Sequence, residues 1–165
     1  MPWRVQPCSM TSQGGRHVGC DGRGSQAFDA VERRDRETVL ACYAEDVEIH
    51  EAAVLPYGGT WRGLSGALAH AQGFRAAWDP YQGPDEIRLD PHFWGDASDT
   101  VCVLFRHRAV DPKRGTRLDA PEIGVYQVRD GKVVRSQMFH ADSTAVARFL
   151  TDAAAVPSTT DERPC

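Results

Sequence analysis

"TRLDAPEIGVYQVRDGKVVRSQMFHAD" (residues 116–142) decides the fold. Apolar and polar side chains alternate on both sides of Asp130–Gly131, a dipeptide that favours the tight turn of a β-hairpin. Upstream, "TVCVLFRHRAV" (100–110) keeps the same period of two, and "DPKRG" (111–115) turns it into the hairpin. "EIRLDPHFWG" (86–95) is a further candidate strand, in which Pro91 points to an edge or a bulge. Together these segments predict a four-stranded antiparallel meander.

Ahead of the meander the period changes. "DVEIHEA" (46–52) alternates as a half-buried strand. "LSGALAHAQGFRAAWD" (64–79) places Leu64, Leu68, Ala71, Phe74 and Trp78 at helical spacing. From Ala27 to Tyr43 an apolar stripe is interrupted by "ERRDRE" (32–37), which predicts two short helices or one bent one. A last helix, "TAVARFLTDA" (144–153), follows Asp142 and Ser143, either of which can cap it. "LPYGGTWRG" (55–63) reads as a glycine-rich loop carrying Tyr57 and Trp61, either as a lid at a pocket rim or with Trp61 packed on the next helix. The order predicts an α+β fold: a curved antiparallel sheet roofed by N-terminal helices. Such a cone has a mouth suited to a small ligand.

A length of 165 residues suits one domain, expected over 26–155 between a disordered leader (1–25) and a loose tail (156–165). The leader lacks the apolar core of a secretory signal. A net charge of −4 without a Lys/Arg stripe argues against nucleic acid or an anionic membrane as partner. No apolar run reaches the roughly 20 residues of a membrane span. The five cysteines are odd in number and form no CxxC pair, which points to a reducing cytoplasm without a disulfide framework. Cys42 and Cys102 read as small buried hydrophobes. Metal-ligand spacing is absent, so neither a metal nor a cofactor is expected.

Alternation also assigns faces. Arg106 and Arg108 fit the outside of their strand, which turns Val103, Phe105 and His107 inward. On the next strand the inward set includes Glu122, Gly124 and Tyr126, and on the closing strand Val134, Ser136, Met138 and His140. On the first strand Val47, Ile49 and Glu51 share the inner side. Glu51, His107, Glu122, Ser136 and His140 thus enter an apolar hollow, where polar groups are costly unless paired. Acid–base chemistry gives one account, with Glu122 as base and His107 or His140 as proton donor. A buried Glu51–His140 pair that orients the closing strand gives the other. His50, His70 and His92 lack inward support. Ser136 belongs to no recognisable nucleophile motif. Tyr57, Trp61, Trp78 and Trp94 are candidate ligand contacts with Tyr126 and Met138, and would favour a flat apolar molecule.

Three stretches carry a family resemblance: "YAEDVEIHEAAVLPYGGTWRG" (43–63), "PEIGVYQVRDGKVV" (121–134) and "MFHADSTAVARFL" (138–150). With the element order they resemble the SnoaL-like branch of the NTF2-like superfamily. The resemblance implies a cystatin-like α+β cone and a cofactor-independent cyclase, isomerase or hydrolase acting on an apolar carbonyl compound such as a polyketide. A binding-only or accessory protein is the alternative it implies. It also implies a homodimer formed through the outer sheet face, with Arg106, Arg108, Arg135 and Gln137. Gly124 stands where relatives often carry Asp, and the Asp–Arg–Asp set of epoxide hydrolases is missing.

Overall fold

A computed structural model describes residues 27–94 and 99–152. The stripe at 27–43 forms two short helices, α1 (27–32) and α2 (Arg36–Ala41). Between them Arg34 takes a left-handed conformation (φ 62°). Asp35 then caps α2, accepting from the Thr38 backbone N–H at 3.1 Å and its hydroxyl at 2.6 Å.

Strand β1 (Tyr43–Glu51) leads through a turn to β2 (Gly59–Arg62) and helix α3 (Gly63–Trp78), which ends in a 3₁₀ turn (Asp79–Tyr81). Then come β3 (His92–Trp94), β4 (Thr100–Val110), β5 (Arg117–Arg129), β6 (Lys132–His140) and α4 (Ser143–Asp152). The six strands form one curved, open sheet in the order β2-β1-β6-β5-β4-β3. β3 to β6 are the antiparallel meander, and β1 joins β6 in parallel. Asp142 caps α4, accepting from the Ala145 N–H at 2.8 Å, so its carboxylate lies at the surface rather than inside.

Three expectations need correcting. The segment at 55–63 contains a strand and is not a lid. Leu55 and Tyr57 are buried core, and Trp61 packs with Val47, Ile49 and Ala67. The cause is local: a Cβ on Gly58 would lie 2.1 Å from the Ala52 carbonyl oxygen, so only glycine lets the turn fold back this tightly. Of the stretch 86–95 only His92–Trp94 pairs, at the sheet edge that Pro91 suggested. Near the hairpin the β5–β6 register shifts after Gln127, placing Val128 opposite Val133. Val133, and not Val134, therefore packs with β1 and α3.

The outer face is laced with ion pairs. Arg106 meets Asp119 and Arg108 meets Asp90, each at 2.7 Å, while Glu48 gathers His50, Arg62 and Arg135. Cys42 and Cys102 are half-buried rather than fully buried, and the Cys42 thiol donates to the Thr38 carbonyl at 3.2 Å. No helix among the described residues is long and apolar enough to cross a membrane. The leader at 1–25, the tail at 156–165 and Cys8, Cys20 and Cys165 lie outside the described residues.

Candidate active site

A cavity of about 840 Å³ opens between α1–α2, α3 and the inner sheet face. Its walls are mostly apolar. Phe28 from α1 meets Phe93, Phe105 and Tyr126 edge-on, with ring centroids 5.6, 5.1 and 6.3 Å away. Glu51, His70, His107, Glu122, Tyr126 and Met138 also line it.

Strand pairing explains how the polar groups meet. Glu122 and His140 are direct partners across β5 and β6, while His107 sits opposite Ala120, two residues from Glu122 along the same face. The Glu122 Oε2 atom lies 3.0 Å from His107 Nε2 and 3.2 Å from His140 Nδ1. Neither contact has hydrogen-bond alignment, so Oε2 and the His140 Nδ1 are buried without a hydrogen-bond partner among the described residues. The other side of His140 is satisfied: its Nε2 hydrogen-bonds Glu51 Oε1 at 2.8 Å. This contact exists because β1 runs parallel to β6, with Ile49 opposite Ser136, which carries Glu51 toward the His140 end. Helix α3 then adds His70, whose Nε2 is 3.4 Å from Glu51 Oε2.

The electrostatics follow from these contacts. Burial pushes the Glu51 carboxyl up, but the hydrogen bonds and charges of His140 and His70 outweigh it and bring the pKa down to about 2. Burial likewise opposes charge on His140, yet the Glu51 hydrogen bond and the charges of Glu122 and Glu51 raise its pKa overall. Glu51 and His140 therefore form a buried ion pair, with side chains 4% and 1% exposed. Burial pushes the Tyr126 phenol well up, so it stays protonated, and its hydroxyl faces only the weak acceptor Met138 Sδ at 3.9 Å. Its ring covers Gly124: a Cβ there would lie 2.6 Å from Tyr126. The room left by the glycine is filled by this phenol.

The sequence-predicted residues divide clearly. Glu51, His107, Glu122, Tyr126 and Met138 line the cavity, whereas His140 lies just behind the wall, bridging the two carboxylates. Trp78 is fully buried behind the site, its ring 4.8 Å from that of His107, and donates to the Tyr57 hydroxyl at 2.9 Å. Trp78 and Tyr57 are core groups for this reason, and neither contacts the cavity. Trp61 is held by its indole N–H on the Tyr57 carbonyl at 3.1 Å. Trp94 is 54% exposed on the edge strand, and Ser136 is buried under the sheet with an unpartnered hydroxyl.

The residue missed is His70. Its signal was present, because Ala67, His70 and Phe74 share a helical face, while Leu64, counted in the apolar stripe, is 41% exposed. Sequence spacing also gave no metal set, but the tertiary fold gathers Glu51, Glu122 and His140 with ligand atoms within 4.8 Å of one another. The orphaned Glu122 oxygen and His140 Nδ1 are the donor atoms a cation would find there.

A curved, open sheet with an apolar, carboxylate-bearing hollow under helices is the architecture of NTF2-like folds. The family model for a SnoaL-like domain matches residues 25–136, and the chain belongs to that family. An NTF2-like protein of unknown function from Burkholderia pseudomallei is similar in structure, with TM-score 0.65 and 21% identity over 81% of this chain and 96% of its own. TerC, crystallised with polyporic acid, is similar at TM-score 0.65 and 21% identity, over 79% of this chain and 96% of its own. A cystatin-like protein of unknown function from Xanthomonas campestris follows at TM-score 0.62 and 19% identity, over 80% and 94%. No curated protein matches this sequence significantly.

Proposed function

We propose that the protein is an acid–base enzyme that takes a proton from carbon next to a carbonyl in a flat apolar molecule, without a cofactor. One observation carries this reading: Glu122 lines an apolar cavity with its carboxylate set between two imidazoles at 3.0 and 3.2 Å, and among the described residues no aligned hydrogen bond holds its Oε2 atom. A structural carboxylate would be held by aligned hydrogen bonds, since a buried acceptor without one costs about 1–3 kcal/mol. A catalytic base is held loosely enough for its carboxyl to turn toward the substrate proton.

In this reading Glu122 is the base. His107 and His140, on either side, stabilise its charge before reaction. The Tyr126 phenol, held neutral and weakly bonded, donates to the oxygen on which charge develops. His140 acts through the two carboxylates and is a positioning group. The aromatic ring of Phe28, Phe93 and Phe105 holds the apolar body. The ligand of TerC, polyporic acid, is consistent with a flat substrate. Aldol-type cyclisation and isomerisation begin from such a proton transfer; in hydrolysis the same base would take the proton from water.

The test uses 2-tetralone, a flat apolar ketone with exchangeable protons. Its binding is followed by ligand NMR and its deuterium uptake in D2O by the loss of α-proton signal. Wild-type protein should accelerate uptake, and Glu122→Gln should lose about 10²–10⁴-fold of that acceleration while still binding. The binding-only alternative rests on the Glu51–His140 pair, which satisfies itself. Tetralone that binds yet exchanges no faster with wild type than with Glu122→Gln would establish that alternative and end the enzymatic reading.

A further inference from the structure

The polar groups of the site form one unbroken chain of alternating imidazoles and carboxylates. It runs from His70 on α3 to Glu51 on β1 (3.4 Å), to His140 on β6 (2.8 Å), to Glu122 on β5 (3.2 Å) and to His107 on β4 (3.0 Å). Every side chain in it is at least nine-tenths buried except His70, which is 14% exposed. Both ends and both carboxylates line the cavity, and only the central His140 is hidden. The cavity is therefore faced by two carboxylate–imidazole pairs, Glu122–His107 and Glu51–His70, joined behind the wall by one ring.

We propose that Glu51 and His70 are a second acid–base station of this cavity, coupled through His140 to Glu122, so that a proton taken up by Glu122 leaves at His70. The proposal rests on the reading of Glu122 as the base. The steps balance. The substrate C–H bond breaks and its proton goes to Glu122. The relay runs when His140 is neutral with its proton on Nε2: Glu122 passes a proton to the bare Nδ1 as the Nε2–H proton passes to Glu51. Glu51 passes one to His70, and His70 releases one to a ligand oxygen or to water at its end. One proton enters and one leaves, so the charge is unchanged; His140 is left with its proton on Nδ1, and a half-turn of the ring restores the starting form. The misaligned link between Glu122 and His140 needs only rotation of the carboxyl about its last torsion, which is soft.

The arrangement suits a ligand with two oxygen functions, a carbonyl at the Glu122 end and a second oxygen at the His70 end. Three phenols also face this chain: Tyr43 on β1, Tyr57 before β2 and Tyr126 on β5. Burial raises all three, Tyr43 to about 12, so none titrates with the histidines. Arg75 on α3, also at the cavity wall, is engaged with Asp79 at 3.1 Å.

The experiment follows the histidine ring nitrogens of the full chain by NMR across the acid and neutral range. Coupling predicts that the His70 ring shows a second inflection where His140 titrates, and that Glu51→Gln reduces it to one. In the 2-tetralone assay His70→Gln should slow deuterium uptake on the order of 10²-fold and alter the pH profile of that uptake. A His70 titration with a single inflection in wild type, or a His70→Gln protein with wild-type uptake and pH profile, overturns the proposal. The ring titration needs neither a variant nor a ligand, so it decides the coupling even where Glu122 proves not to be the base. Loss of uptake in Glu122→Gln alone, with His70 uncoupled, leaves the base and removes the second station.

Discussion

Glu51→Gln gives the sharpest measure of the buried network. In the folded chain Glu51 has a pKa of about 2 against its ordinary 4.5. At about 1.4 kcal/mol per pH unit, that difference corresponds to about 3 kcal/mol of stability. The unfolded carboxyl binds protons more tightly than the folded one. The stabilisation is therefore complete above 4.5 and lost as pH falls toward 2. Glutamine keeps the shape and one hydrogen bond to His140 but carries no charge to titrate. Urea unfolding of both proteins should show wild type ahead by about 3 kcal/mol near pH ~6, where His140 is charged, and by only about 1 kcal/mol near pH ~3. A gap that stays constant between these conditions would refute the argument, because packing loss alone does not vary with pH.

His140 gives the opposite sign. Its folded pKa is raised from 6.5, so its contribution is full below that value and is lost as pH rises through the folded one. Stability in mildly alkaline solution should fall in wild type, and a flat profile there would remove the ion pair. Gly58→Ala forces a Cβ against the Ala52 carbonyl at 2.1 Å and should cost roughly 3 kcal/mol. A shift under ~0.5 kcal/mol would show that the turn tolerates a side chain. The homodimer implied by the resemblance would cover Ile123 and Phe139, neighbours on the outer face that are 43% and 54% exposed. Sedimentation should find dimers in wild type and monomers in Phe139→Lys, and a monomeric wild type would discard that interface.

Much of the fold was legible because alternation is a local property. Side chains on a strand must point to opposite faces, so "TVCVLFRHRAV" with its two arginines already turned His107 inward, and Val103, Phe105, His107 and Ala109 are indeed buried. The same rule placed Glu122 and Met138 at the cavity and buried Glu51 and His140. It failed at Val134, where a register shift changes the face, because a bulge has no period to read.

What local pattern could not give was proximity. Nothing in the chain's order says that β1 lies parallel against β6, and only that pairing sets Glu51 beside His140. Nor could helical spacing alone fix the rotation of α3, which decides that His70 and Ala67 face inward while Leu64 faces out. Tyr57 was misplaced for the same reason, since a turn's direction depends on what packs behind it, while Trp61 packs on the following helix, one of the two readings the sequence left open. Side-chain direction was written in the sequence, because it follows from covalent geometry. The linkage of two carboxylates through one imidazole arose from long-range packing of strands and a helix distant in the chain.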